Sequence, residues 1–261
     1  MKLLLPLVLS LAAVSASAQR PDAARIAIRY KFLHVRDTTH RDRPYTENMI
    51  LLVGSTSGVY KSNEGPAQQQ VSNNPDGTTR TNMHFFGTHV EYYQFPHEKK
   101  LIRADWIPMT TFIITDALPA IDWHIMKDTA SFGGLHCQKA TAHVKGRDYT
   151  VWFCPDLPLH IGPWKLNGLP GVIVEAYDAK NEVRFTFDGV VTPAQTAILP
   201  PAKGVKTTDK DFANLQETAR KDPEAYSKLM AQYNVGNGPK VDIKPGSGPV
   251  INNPIELPEY K

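Results

Sequence analysis

Between residues 154 and 178 the chain reads CPDLPLHIGPWKLNGLPGVIVEAYD, and the spacing of Pro155, Pro158, Pro163 and Pro170 limits what can form there. Each proline fixes φ and pushes the residue before it toward extended backbone, so the stretch is stiff and no helix crosses it. Immediately beyond, Val172, Val174 and Ala176 alternate with Ile173, Glu175 and Tyr177, which is the period of a strand. The connection is too long and too apolar for an ordinary solvent loop. Pro170-Gly171 suits the two central positions of a type II turn, with positive φ at the glycine, and such a turn aims Val172 into the strand. Trp164, Leu166 and Leu169, with Leu157, Leu159 and Ile161, are the side chains this loop presents. Either they plug one end of a sheet as a core cap, or they join Gly168, Pro170 and Gly171 in lining a ligand cleft or a docking surface.

The stretch before it, CQKATAHVKGRDYTVWFC, predicts a hairpin. Lys145-Gly146 makes a two-residue turn, because glycine accepts positive φ. Ala140 then faces Val151, Ala142 faces Tyr149, and Cys137 faces Cys154. A cross-strand disulfide between Cys137 and Cys154 follows if the chain meets an oxidising compartment; otherwise the pair is two buried thiols.

The N-terminus decides in favour of export. MKLLLPLVLSLAAVSASAQR has one lysine, an apolar run from Leu3 to Val14 and small residues at Ala16-Ser17-Ala18, the pattern of a secretory leader cut after Ala18. The run is too short to span a membrane, and no cysteine at the cut offers a lipid anchor. The net charge of +3 falls to +2 once Lys2 leaves with the leader. So weak a field argues against a nucleic-acid partner.

Elsewhere, apolar and aromatic residues recur at strand length. Residues 26–32, 49–53, 59–61, 89–95, 100–106, 109–115, 121–125, 172–177 and 183–187 read as strands, and the polar run 62–83 as a long loop. The period changes only near the end. Phe212, Leu215 and Ala219 predict a helix from Thr208, while Asp222-Pro223 caps a second one carrying Tyr226, Leu229, Met230 and Tyr233. The last residues, rich in Gly, Pro and Asn, read as a tail lying over the body or as a flexible end.

Taken together, GLPGVIVEAYD, the preceding GPWKLN and CQKATAHVKGRDYTVWF, and RDTT, MILLVG, VYKS and NNPIEL resemble the GLPGLI family of exported proteins, found mainly in Bacteroidota. The likeness covers most of residues 25 to 257, with Val172 where the family name has leucine. It implies an exported, mostly β protein and carries no catalytic residue across.

Familiar catalytic signatures are missing. GSTSG at 54–58 places Thr56 where a hydrolase elbow needs serine. There is no phosphate-binding loop, dinucleotide fingerprint or HExxH. His84, His89, His136 and His143 show no convergent spacing, and the acids Asp148, Asp156, Glu175 and Asp178 are scattered, so no metal site, cofactor or catalytic residue is assigned. The resulting expectation is a mainly β fold, a curved antiparallel sheet or half-open barrel with two C-terminal helices, the alternative being a closed barrel. It is divided into a leader (1–18), a β domain (19–204), a helical segment packed on it (205–235) and a Pro/Gly-rich tail (236–261). The expected function is that of an exported, non-catalytic binding protein of the periplasm, cell surface or medium, holding a small apolar ligand or an extended peptide. The alternatives are an envelope assembly or interaction factor docking on an outer-membrane protein, and an enzyme of unrecognised type.

Overall fold

The computed structural model describes residues 21–65, 68–73, 79–84, 87–107, 110–194, 196–232 and 251–258. The expected leader and most of the expected tail lie outside them. In chain order the strands are β1 (Asp22–Ala23), β2 (Ile26–His34), β3 (Tyr45–Val53), β4 (Gly58–Ser62), β5 (Gln68–Asn73), β6 (Thr79–His84), β7 (Glu91–Phe95) and β8 (Lys100–Ile107). Then come β9 (Thr110–Ala117), β10 (His124–Phe132), β11 (Leu135–Val144), β12 (Arg147–Cys154), β13 (Val172–Asp178), β14 (Val183–Val191), β15 (Ala197–Ile198) and β16 (Val205–Thr207). The helices α1 (Asp209–Lys221) and α2 (Pro223–Gln232) follow.

One sheet runs in the order β10-β11-β12-β13-β14-β2-β3-β4-β7-β8-β9-β16. Its neighbours are antiparallel except β16, which runs parallel to β9. The sheet is open and not closed, so the curved sheet with two C-terminal helices is realised and the closed barrel is not.

Strand β2 shows how alternation sets the layers. Ile28, Tyr30 and Phe32 join Met49, Leu51 and Val53 in the main core. Ala27 points the other way, against Leu52, Val59 and Ile198 on the back of the sheet. At the far end, Phe212, Leu215 and Tyr226 of the helices cover Phe112 and Ile114 of β9.

The curl of the sheet follows from two contacts of one residue. From β12 to β7 there are six strand intervals, roughly 29 Å along a flat sheet. Yet the ring of Trp164 lies 6.4 Å from that of Tyr149 on β12, and its carbonyl accepts a 2.9 Å hydrogen bond from Gln94 on β7. Two strands so far apart reach one residue only if the sheet wraps around it. The connection 155–171 sends Leu159, Ile161, Trp164, Leu166 and Leu169 into the interior of the curl.

The helix starts fall where the sequence placed them. The Asp211 amide donates to the Thr208 hydroxyl, and the Ala225 amide to the Asp222 carboxylate. Tyr233 lies outside the described residues. Two expectations are corrected. Part of the run 62–83 forms an antiparallel hairpin, β5 with β6, instead of a loop. Residues 121–123 are irregular, and the strand begins at His124, because β10 is an edge strand whose register is broken between Ile125 and Thr129.

Candidate functional site

The proline-rich connection is tied to itself and to its neighbours by main-chain bonds. The amides of Leu157, Ile161, Leu166 and Gly168 donate to the carbonyls of Cys154, Leu159, Pro163 and His160, and those of Val172 and Ile173 donate back to Leu157 and Ile161. The Ile161, Trp164, Leu166 and Leu169 side chains are turned into the core and buried. Gly171 is also buried, whereas Pro170 is exposed and Gly168 faces solvent beside the Trp123 indole, which donates to the Asn167 carbonyl. The type II turn expected at Pro170-Gly171 is not formed. Positive φ falls on Trp164 (56°) and Gly168 (93°) and not on Gly171. Glycine at 171 answers to space: a Cβ there meets the Cys154 carbonyl oxygen at 2.3 Å.

Trp164 is thus a bulky residue at the first central position of the turn closed by the Leu166 amide on the Pro163 carbonyl, where glycine is the usual occupant. Gln94, fully buried on β7, holds it there by donating through Nε2 to the carbonyls of Gly162 (2.8 Å) and Trp164.

Beside Trp164 is a cavity of about 140 Å³. Phe32, Met49, Tyr60, Tyr92, Phe185 and Trp164 form its apolar wall, and His34, Arg36, Thr88, Val90 and Ile255 complete it. Several buried polar atoms have no hydrogen-bond partner among the described residues; of these, Tyr60 Oη and Trp164 Nε1 belong to side chains that line the cavity, while Tyr149 Oη and Gln94 Oε1 do not. Burial pushes the Tyr60 phenol well above its ordinary pKa, so it keeps its proton. The Arg36 guanidinium stacks 3.5 Å over the Tyr45 ring. The nearby Glu47 carboxylate is already engaged, accepting from the Tyr45 hydroxyl and from the amide and hydroxyl of Thr88.

Ile255 reaches the cavity because residues 252–257 are strapped across the curl. Arg147, almost wholly buried, carries most of the strap. Its guanidinium donates to Asp178 (2.6 Å), Glu182 (3.4 Å), the Asn253 side chain (2.7 Å) and the carbonyls of Pro254 (2.7 Å) and Ile255 (3.0 Å). The Asn253 amide group donates in turn to the Val35 carbonyl and to Glu182. His34 Nε2 lies 2.8 Å from the Asn253 carbonyl, and so is the protonated nitrogen of a ring whose pKa burial pushes down to about 4. Farther along, Glu256 pairs with Lys145 and with the buried Lys165.

The predicted disulfide joins Cys137 to Cys154, and the hairpin register pairs Ala140 with Val151 and Ala142 with Tyr149. The scattered polar candidates stay scattered. His136 bonds Asp156 and His143 bonds Asp148 on the surface, and Glu175 accepts from the Phe187 amide. His89 stacks edge-on to Trp106, while the His84 side chain lies outside what is described. Among the described residues no group of three His, Cys, Asp or Glu is placed to hold a metal. The near-elbow GSTSG instead wraps a carboxylate. Burial pushes Asp22 up, but the amides of Ser55, Thr56 and Ser57 and the Ser57 hydroxyl outweigh it and bring its pKa down to about 2. Sequence reasoning gave no role to Arg36, Tyr60, Gln94 or Arg147, although Tyr60 lies in VYKS and Arg147 in CQKATAHVKGRDYTVWF.

Among solved structures similar in fold to this chain are two of one protein. Both are PNGF-II, in C2 and P21 crystals, with TM-scores of 0.54 and 0.53 and identities of 10% and 11% over 75% and 76% of this chain. The match covers 33% and 34% of PNGF-II, so the chain corresponds to about a third of that protein, and identity this low establishes likeness of fold alone. No family model matches the chain, and no curated protein is significantly similar to it.

Proposed function

We propose that this chain is an exported, non-catalytic binding protein of the cell envelope that holds a small apolar ligand inside the curl of its sheet. The observation that carries this reading is the aromatic cavity of about 140 Å³ between the sheet and Trp164. The backbone of Trp164 supports the same reading, since left-handed conformations of bulky residues collect at functional sites. Export is supported by the leader-like N-terminus and the disulfide, and no described helix is long and apolar enough to cross a membrane.

Native mass spectrometry of the protein released gently from its own envelope, compared with the same sample after denaturation, tests the proposal. The expected result is a discrete added mass that denaturation removes. A bare mass under gentle conditions, with the fold intact by circular dichroism, overturns it.

A further inference from the structure

The residues around the cavity differ in how firmly they are held. Phe32, His34, Met49, Tyr60, Trp164 and Phe185 are buried and form its floor, whereas Arg36, Thr88, Val90, Tyr92 and Ile255 are only half-buried and mark its mouth. Around that mouth, Tyr92 belongs to the ladder of β7, opposite Tyr60 on one side and Arg103 on the other, and Val90 stands directly before that strand. Thr88 is pinned to Glu47 through its amide and hydroxyl, and Arg36 lies over the Tyr45 ring. Ile255 is held differently, because the strap that carries it belongs to no strand.

The hold on the strap is a series of separate polar contacts. The amides of Asn252 and Asn253 donate to the Arg36 carbonyl and that of Leu257 to the Lys145 carbonyl, while Arg147 reaches the carbonyls of Pro254 and Ile255. The Asn252 side chain accepts from the Thr38 amide and donates to Asp37. Ile255 packs against the main core, but Asn252 and Pro254 are exposed. A segment with so little buried apolar surface opens at a free energy well below that of global unfolding. Lifting it takes Ile255 off the mouth and frees the Arg36 carbonyl without breaking a strand ladder.

Resting on the binding role proposed above, we infer that residues 252–257 are the gate of the cavity, and that a ligand enters and leaves when this strap lifts from Arg36 and Arg147. A gate sets rates more than affinity: loosening it speeds entry and exit together, because the bound state with the strap closed is unchanged.

The test uses the full exported chain and fluorobenzene, since an apolar cavity of about 150 Å³ admits a benzene-sized molecule and this one is about 140 Å³. Fluorine NMR gives the affinity and the exchange rate of the probe, and hydrogen exchange at the amides of Asn252, Asn253 and Leu257 reports opening of the strap. Two variants loosen the strap without touching the cavity lining. Asn253→Ala removes the side-chain bonds to Arg147, Val35 and Glu182, and Asn252→Ala removes those to Thr38 and Asp37 on the exposed side. The expected result for Asn252→Ala is strap opening and fluorobenzene exchange both faster by about two- to tenfold, the worth of one hydrogen bond. Asn253→Ala is expected to raise both further, and in each variant the affinity stays within about twofold of the parent. Thermal melts establish that the variants are folded; if Asn253→Ala is not, Asn252→Ala alone decides. Fluorobenzene exchange that stays unchanged while the strap amides exchange faster overturns the gate. An affinity that falls in step with the faster release also overturns it, since the strap is then a wall and not a door.

Failure of the gate is distinguishable from failure of the binding role. If probe exchange ignores the strap, or fluorobenzene does not bind, although native mass spectrometry reveals a releasable ligand, the gate falls and the role stands. If fluorobenzene does not bind and the native mass is bare, both fall.

Discussion

At the scale of single residues, the stiff connection answers to two constraints that look alike in sequence and differ in space. Gly168 and Trp164 adopt positive φ, whereas Gly171 is required because its α-carbon sits against the Cys154 carbonyl. Gly171→Ala therefore forces the loop away from β12, and we expect it to cost about 2–3 kcal/mol in urea unfolding. Gly65→Ala, with open space around it, is the control and is expected to stay within about 0.5 kcal/mol of the parent. Equal effects of the two substitutions would contradict the packing explanation. Trp164 is the reverse case, a side chain so well enclosed that its backbone accepts a conformation it would otherwise avoid, secured by the paired hydrogen bonds of Gln94.

At the scale of elements, the hairpin of β11 and β12 carries two devices on one strand: Cys154 at one end and Arg147 at the other. Replacing both cysteines with serine removes a link between residues 17 apart, and we expect a loss of about 3 kcal/mol in chemical denaturation. Arg147→Ala acts on the strap. It leaves Asp178 buried without its cation, which typically costs about 3–5 kcal/mol, leaves Glu182 to Arg41 alone, and releases the backbone of Pro254 and Ile255. Hydrogen exchange localises that effect: the amides of Asn253 and Leu257 lose protection first, and an unchanged exchange pattern would show that the strap is held by other means. Such elements were unequally legible in the sequence. The hairpin, β13 and the two helix starts could be read because turn glycine, alternation and capping residues act over a few positions. Strand β10 could not, since an edge strand exposed along most of its length shows no alternation. The hairpin of β5 and β6 was not legible either, because QQQVSN and TRTNMH carry no apolar period. The candidate site divides in the same way. Prolines and glycines announced the loop that holds Trp164, but the cavity beside it draws Phe32, Tyr60, Tyr92, Phe185 and Ile255 from five distant places, and proximity of that kind leaves no periodic trace.

At the scale of the whole molecule, buried groups with shifted titration set how the protein meets acid. His34 is neutral in the folded state down to about pH 4, while an unfolded histidine takes up its proton near pH 6.5. Between those values the unfolded chain binds more protons, so stability falls as pH drops from about 6.5 to about 4 and then levels off as far as this group is concerned. Asp22, lowered to about 2, contributes stability that is present above about pH 3.8 and is lost on the way to pH 2. Melting temperature followed from pH 7 to pH 2 is expected to decline in these two stages. His34→Gln keeps a donor for the Asn253 carbonyl without the titration and should flatten the first stage alone; a first stage of undiminished slope would assign it to other groups. The order of strands has a temporal side as well. The β14–β2 seam joins five strands to seven, with Phe185 opposite Phe32 and Phe187 opposite Tyr30. Most of the chain lies between these partners, so the two halves must each persist with a bare edge until the seam closes. Closing such a long loop costs chain entropy, so we expect this pairing to form late in folding, and until it does the edges of β2 and β14 are open to unwanted strand pairing.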